Sequence, residues 1–204
     1  MLMQATTGGN NSRFTVGEEP DQIHWGARHL ARALQGVPAH LREAASRCLP
    51  TILMECLQSS VTLKPQVAYI LATAEHESGL GLQMTEPDGS AYEQCHELGN
   101  WDKGDGHTYR GRGFVRIRGR SAYLRWSNQL GIDLIAEPHL AADPFTAAKI
   151  LVRGMRDGNF TGIGLAAFIG ESAQYFVNAR RIVDDQLNAA QNLADLAERY
   201  FATL

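Results

Sequence analysis

Two glutamates, Glu77 and Glu86 in the stretch "ILATAEHESGLGLQMTEPDG" (residues 70–89), stand where the surrounding pattern asks for something else. Val67, Ile70, Leu71 and Ala74 recur at i, i+3, i+4 and i+7, and the same stripe continued arrives at Glu77. A helix would therefore deliver a carboxylate to the end of its own buried face. Loss of water at such a position disfavours the charged form of a carboxyl, the condition a general acid needs near neutral pH. Gly79 and Gly81 break the helix directly afterwards and let the chain turn, so that Glu86 returns across a cleft. Two carboxylates in unlike surroundings are the minimal equipment for glycosidic hydrolysis, one as protonated acid and one as base for water. A separation of roughly 6.5–9.5 Å would mean inversion and about 5 Å retention. The plainer reading of the same residues is a solvated helix-end acid and an ordinary loop charge.

The elements that must position this pair are mostly helical. Residues 1–20 are rich in Gly, Asn, Ser and Thr and read as a poorly ordered lead-in, ahead of a single domain over 21–204. Asp21 suits the N-cap of a first helix carrying Ile23, Ala27, Leu30, Ala31 and Leu34, with Gly36 at its end. A second helical region spans 39–58 and is expected to be interrupted near Pro50. Pro65 opens the helix that ends at Glu77. Residues 79–112 are glycine-rich and polar without a sustained period, and Tyr92, Trp101 and Tyr109 favour an ordered functional loop. In "GRGFVRIRGR", Val115 and Ile117 alternate with Arg116 and Arg118, which predicts a short strand. Helices are expected at about 120–130, 143–156, 161–169, 172–182 and 186–202, with Asp143-Pro144 as a start and Gly131 and Gly158 as stops. The fold class is mainly α with a small β element.

Composition limits the functions available. The 204 residues carry a net charge of −3, with 44% hydrophobic and 20% charged residues, ordinary values for a soluble domain and no global case for nucleic acid. Arg110, Arg112, Arg116, Arg118 and Arg120 cluster, but their i, i+2 spacing suits a short strand rather than a nucleic-acid stripe. An anionic wall polymer would explain that face equally well. Cys48, Cys56 and Cys95 form no C-x-x-C unit and read as reduced thiols. His76, His96, His107, Asp102 and Asp105 crowd one region, yet there is no H-E-x-x-H, and "NWDKGDG" lacks an EF-hand's glycine position and closing glutamate; no metal or organic cofactor is expected. The start lacks a secretory pattern and no run reaches 18 apolar residues, so synthesis in the cytoplasm without membrane insertion is expected.

The residues "AYILATAEHESG", "TYRGRGFVRIRGRSAYLRWSNQLGIDLIAEPHLA", "DPFTAAKILVRGM" and "ARRIVDD" follow one another in the order and approximate spacing of family 19 glycoside hydrolases. Over residues 61–204 the chain resembles the compact phage-endolysin and lysozyme-like branch of that chitinase family. The resemblance implies a lysozyme-like α+β fold and cleavage of β-1,4 bonds in peptidoglycan, with chitin or chito-oligosaccharides as the nearest variant substrate. It implies that Glu77, within His76-Glu77-Ser78, is the general acid and that Glu86 activates water, with Glu97 the runner-up in a loop that also holds Glu93. Tyr109, Gly111, Arg112 and Gly113 match the family's Y-x-G-R-G and are expected in the cleft wall, Arg112 as a fork for a carboxylate. His76, Arg116, Arg118, Tyr123 and Arg181 complete the expected substrate-binding set. Tyr92 and Trp101 are expected to stack on sugar rings. Action on the cell wall after release or delivery, as a monomer, is the corresponding biological expectation.

Two departures bear on chemistry. Where the family places Gln and a water-holding hydroxyl residue, this chain has Arg116 and Arg118, and an arginine beside a glutamate lowers that acid's pKa, favouring a base and harming an acid. Where the family places a neutral Asn, this chain has Asp184, followed by Asp185. These four residues motivate a second reading, a catalytically weakened relative that binds glycan or a protein, with the charges locked in salt bridges inside the old cleft.

Overall fold

The computed structural model describes residues 27–184 and 186–204. The lead-in, Asp21, Ile23 and Asp185 lie outside these. Seven helices follow in order: α1 (Ala27–Gly36), α2 (Arg42–Gln58), α3 (Lys64–Ser78), α4 (Asp105–Thr108), α5 (Arg120–Leu130), α6 (Pro144–Asp157) and α7 (Ala190–Thr203). Extended pairing among the described residues is confined to the single bridges Thr85–Arg112, Arg112–Ile117 and Ile169–Gln174.

α3 is the axis of the molecule. It is buried on nearly every side, by Ala68, Tyr69, Ala72 and Thr73 as well as by the stripe read from sequence. α7, α6 and α2 enclose it, while α1 packs on α7 and α2. A helix that is apolar all round belongs in a core, and here it carries a single functional tip. That tip is fixed by Gly79, whose left-handed φ of 59° closes the helix while its N–H donates to the Glu75 carbonyl and the Leu80 N–H to that of Ala74.

α2 runs unbroken through Pro50, against the interruption expected there. Pro50 faces solvent, so water can satisfy the carbonyl it leaves unpaired, and the opposite face, with Leu49, Ile52, Leu53 and Cys56, stays packed. α6 starts as expected, Asp143 accepting from the N–H groups of Phe145 (3.1 Å) and Thr146 (3.0 Å). Gly131 and Gly158 end α5 and α6 in left-handed conformation. The helices expected at 161–169 and 172–182 are instead 3-10 turns, Leu165–Ala167 and Asn178–Ile182. The last helix starts at Ala190 rather than 186.

The expected strand at 115–118 is a tight reversal. Arg112 and Ile117 exchange backbone hydrogen bonds of 3.2 and 3.0 Å, and Gly113 (φ 83°) and Arg116 (φ 51°) supply the left-handed bends between them. Val115 and Ile117 are buried, as the alternation would have them in a strand, but two left-handed residues within five prevent one.

Candidate functional site

The tip of α3, the 112–118 reversal, α5 and the 178–184 segment surround a cleft of about 370 Å³, lined among others by Glu77, Arg116, Arg118, Arg125, Arg180 and Asp184. Glu77 lies at its wall with 14% of its side chain exposed, and its Oε1 accepts from Arg180 Nη1 at 3.1 Å. Arg180 is itself buried, and its Nη2 donates to Asp184 Oδ2 at 3.0 Å. One guanidinium thus orients two carboxylates, four residues apart from one and a long chain excursion from the other. With both acids ionised the triad bears one net negative charge; with the proton that a general acid must carry, it is neutral.

Glu86 is not among the residues that line this cleft, although Arg118, its partner, is. Oε1 accepts from Arg118 Nε (3.0 Å) and Nη2 (2.5 Å) and, more distantly, from the Tyr92 hydroxyl (3.4 Å), while Oε2 accepts from the Gly111 N–H at 3.0 Å. Burial pushes the Glu86 pKa up, but the Arg118 hydrogen bonds and charge, with Gly111 and Tyr92, outweigh it and hold the carboxyl below its usual range. Arg118 feels the charge of Glu77 as well as that of Glu86, its hydrogen-bonded partner. It also sits 5.5 Å from the Tyr92 ring centroid. Gly111 is required by this packing, since a Cβ there would lie 2.5 Å from the Glu86 carboxyl carbon.

The remaining expected site residues divide into two groups. His76 is half-buried beside Glu77, its Nδ1 3.4 Å from Asn192 Nδ2. Burial lowers its pKa below the ordinary imidazole value, and Arg180 and Arg116 add to that against the opposing pull of Glu77. Arg116 lines the cleft and donates from Nη2 to Gln83 Oε1 at 2.9 Å. Trp101 is exposed, one face stacked on His96 at 4.2 Å, and Leu98, from the same 96–98 turn as His96, lines the cleft.

Tyr109, Arg112, Tyr123 and Arg181 are placed elsewhere. Tyr109 and Tyr123 are buried with ring centroids 5.2 Å apart. Arg112 is also buried and forks not onto a carboxylate but onto the Thr108 carbonyl (2.7 Å) and the Tyr123 hydroxyl (2.8 Å), while Tyr123 donates to the Arg110 carbonyl (2.7 Å). These three residues brace the glycine-rich loop from below, and burial raises the Tyr123 pKa to about 12. Arg181 is exposed, and its carbonyl receives the Thr161 hydroxyl at 2.6 Å; its neighbour Arg180 is the arginine in the cleft. The spacing offers no signal for that choice, because Arg180–Asp184 and Arg181–Asp185 are both at i, i+4. Glu93 is engaged by the Gly104 and Gly106 N–H groups at 2.5 and 3.0 Å, and Glu97 is exposed. Among the described residues no three His, Cys, Asp or Glu side chains are placed to share a metal ion, and no helix is long and apolar enough to cross a membrane. Asp102 and Asp105 are instead engaged by Arg120, with Nη2 distances of 3.1 and 2.5 Å.

No protein-family model and no curated protein matches the sequence. The fold matches solved structures over most of their length. Chitinase C from Streptomyces griseus HUT6037 is 19% identical, with 92% of this chain and 96% of that chain covered and a TM-score of 0.56. A mutant of chitinase C gives 20% identity, 96% and 97% coverage and a TM-score of 0.52. A bacterial family 19 chitinase gives 18%, 90% and 89%, and 0.53. The chain therefore has the mainly helical, lysozyme-like fold of the family 19 glycoside hydrolases.

Proposed function

We propose that this protein is a glycosidase that hydrolyses β-1,4 bonds of bacterial cell-wall peptidoglycan. The observation that carries the reading is Glu77: a carboxylate at the tip of the central core helix, largely withdrawn from water, at the wall of an arginine-lined cleft in a chitinase fold. In the proposed reaction the Glu77 carboxylic acid protonates the leaving glycosidic oxygen, and Arg180 with Asp184 holds the acid in place and stabilises the carboxylate left behind. Glu86, kept ionised, takes a proton from a water molecule as that water attacks the anomeric carbon from the opposite face, which inverts the configuration. Both Arg118 hydrogen bonds fall on Oε1, so in this step the proton goes to Oε2, which accepts only from the Gly111 N–H. No metal or organic cofactor enters the scheme. The protein acts as a monomer on the wall, after synthesis in the cytoplasm and release or delivery, in the manner of an endolysin or antibacterial lysozyme.

Two further readings have support of their own. The solved relatives are named chitinases, which favours chito-oligosaccharides as substrate. The Arg118 clamp on Glu86 favours a catalytically weakened relative that retains glycan binding. Digestion of purified peptidoglycan and of chitohexaose, with mass spectrometry of the products, separates all three. Muropeptides with free reducing ends support the proposal; only shortened chito-oligosaccharides favour a chitinase; no product from either overturns the enzyme.

A further inference from the structure

The arginines of the cleft are not equally occupied. Arg180 serves Glu77 and Asp184, and Arg118 serves Glu86. Arg116 and Arg125 line the same cleft, and no described carboxylate forms an ion pair with either. Arg116 spends Nη2 on a neutral amide, Gln83, and its Nε is buried with no hydrogen-bond partner. Its backbone holds a left-handed φ of 51°, a conformation that an L side chain rarely adopts and that is stored where a site requires it. Arg125 reaches the cleft from α5, one residue before the buried Trp126 that anchors this face of the helix. Arg116 is half-buried and Arg125 exposed at the cleft, neither is neutralised by a described carboxylate, and their planar forks suit an incoming oxyanion.

We infer that Arg116 and Arg125 form an anion subsite beside Glu77 that takes a carboxylate carried on the glycan, so that the cleft selects an acidic glycan over a neutral one. This rests on the proposed action on wall glycan and names its substrate class more narrowly: a chain whose sugars bear lactyl-peptide carboxylates rather than an uncharged homopolymer. The net charge of −3 means that the attraction is local to the cleft and does not extend to polyanions in general.

The test measures binding rather than turnover, so it survives failure of the enzyme assignment. Glu77→Gln protein is titrated calorimetrically with a peptidoglycan tetrasaccharide bearing peptide stems, with the same fragment after amidation of its carboxylates, and with chitotetraose. The same titrations are repeated in an R116Q/R125Q background whose melting temperature has been checked. The expected result is tighter binding of the free-carboxylate fragment than of the amidated one. That preference should fall by about 10- to 100-fold in R116Q/R125Q, the worth of one or two charge-assisted hydrogen bonds, and should weaken with added salt. Equal affinity for free and amidated fragments, or a preference unchanged in R116Q/R125Q, overturns the subsite. Absence of hydrolysis by wild-type protein would count against the enzyme and leave this comparison readable.

Discussion

Replacing Arg118 by Gln exposes how much of the site's present order depends on the clamp over Glu86. The substitution removes two hydrogen bonds that converge on Oε1, at 3.0 and 2.5 Å, and leaves the carboxylate with Gly111 and the longer Tyr92 contact. Hydrogen bonds to an ionised group contribute about 1.5–3 kcal/mol. Arg118 is 36% exposed, so water screens and partly replaces it, and the lower half of that range, about 1.5–2 kcal/mol, is expected. For a chain of this size that is a loss of about 3–8 °C in melting temperature. Because the folded-state pKa of Glu86 is lowered, its contribution is complete above the unfolded carboxylate value and is lost as pH falls through the folded one. The difference between wild type and Arg118→Gln should therefore be full at pH 7 and shrink progressively below about pH 4. Urea unfolding across that range, with an Arg118–Glu86 double-mutant cycle at pH 7, measures it directly. A coupling energy under about 0.3 kcal/mol, or a difference that does not diminish in acid, would refute the clamp as the dominant influence on Glu86.

Other parts of the site give sharper structural tests. Arg180→Ala leaves the largely buried Glu77, and Asp184 with 37% of its side chain exposed, without their shared cation and should cost about 2–3 kcal/mol, below the range for a fully buried pair because water screens Asp184, read by urea unfolding. Gly111→Ala drives a Cβ against the Glu86 carboxyl and should cost about 1–3 kcal/mol while displacing that side chain, visible as loss of the pH-dependent component of stability. Trp101→Ala removes an exposed ring braced by His96 and should raise KM on long glycans by about 2- to 10-fold with kcat preserved; equal KM values would remove Trp101 from the binding surface.

The helix that matters most was legible because its signals agreed. An apolar stripe, Pro65 at the start and Gly79 at the end all placed Glu77 at the tip of α3, and Asp143-Pro144 and Gly158 bounded α6 in the same way. The doubt raised by arginines near the acids was also visible, and it materialised as Arg118 on Glu86. What sequence could not supply was depth. Tyr109, Arg112 and Tyr123 have the types of cleft residues, yet they pack against one another, a placement decided by contacts between residues 11 to 14 positions apart rather than by local pattern. Arg180 and Arg181 differ by one position in a 3-10 turn, where no helical or strand period says which side chain turns inward. The strand expected at 115–118 failed because non-glycine left-handed residues such as Arg116 carry no sequence signature.

The central claim is that Glu77 is the group that protonates the leaving oxygen. The most direct measurement compares release of reducing ends from purified peptidoglycan by wild-type protein and by Glu77→Gln, which keeps the side chain's size and its capacity to accept from Arg180. Loss of a positioned general acid should slow release by about 10²–10⁴-fold with the fold and glycan affinity retained. Equal rates in the two proteins would contradict it.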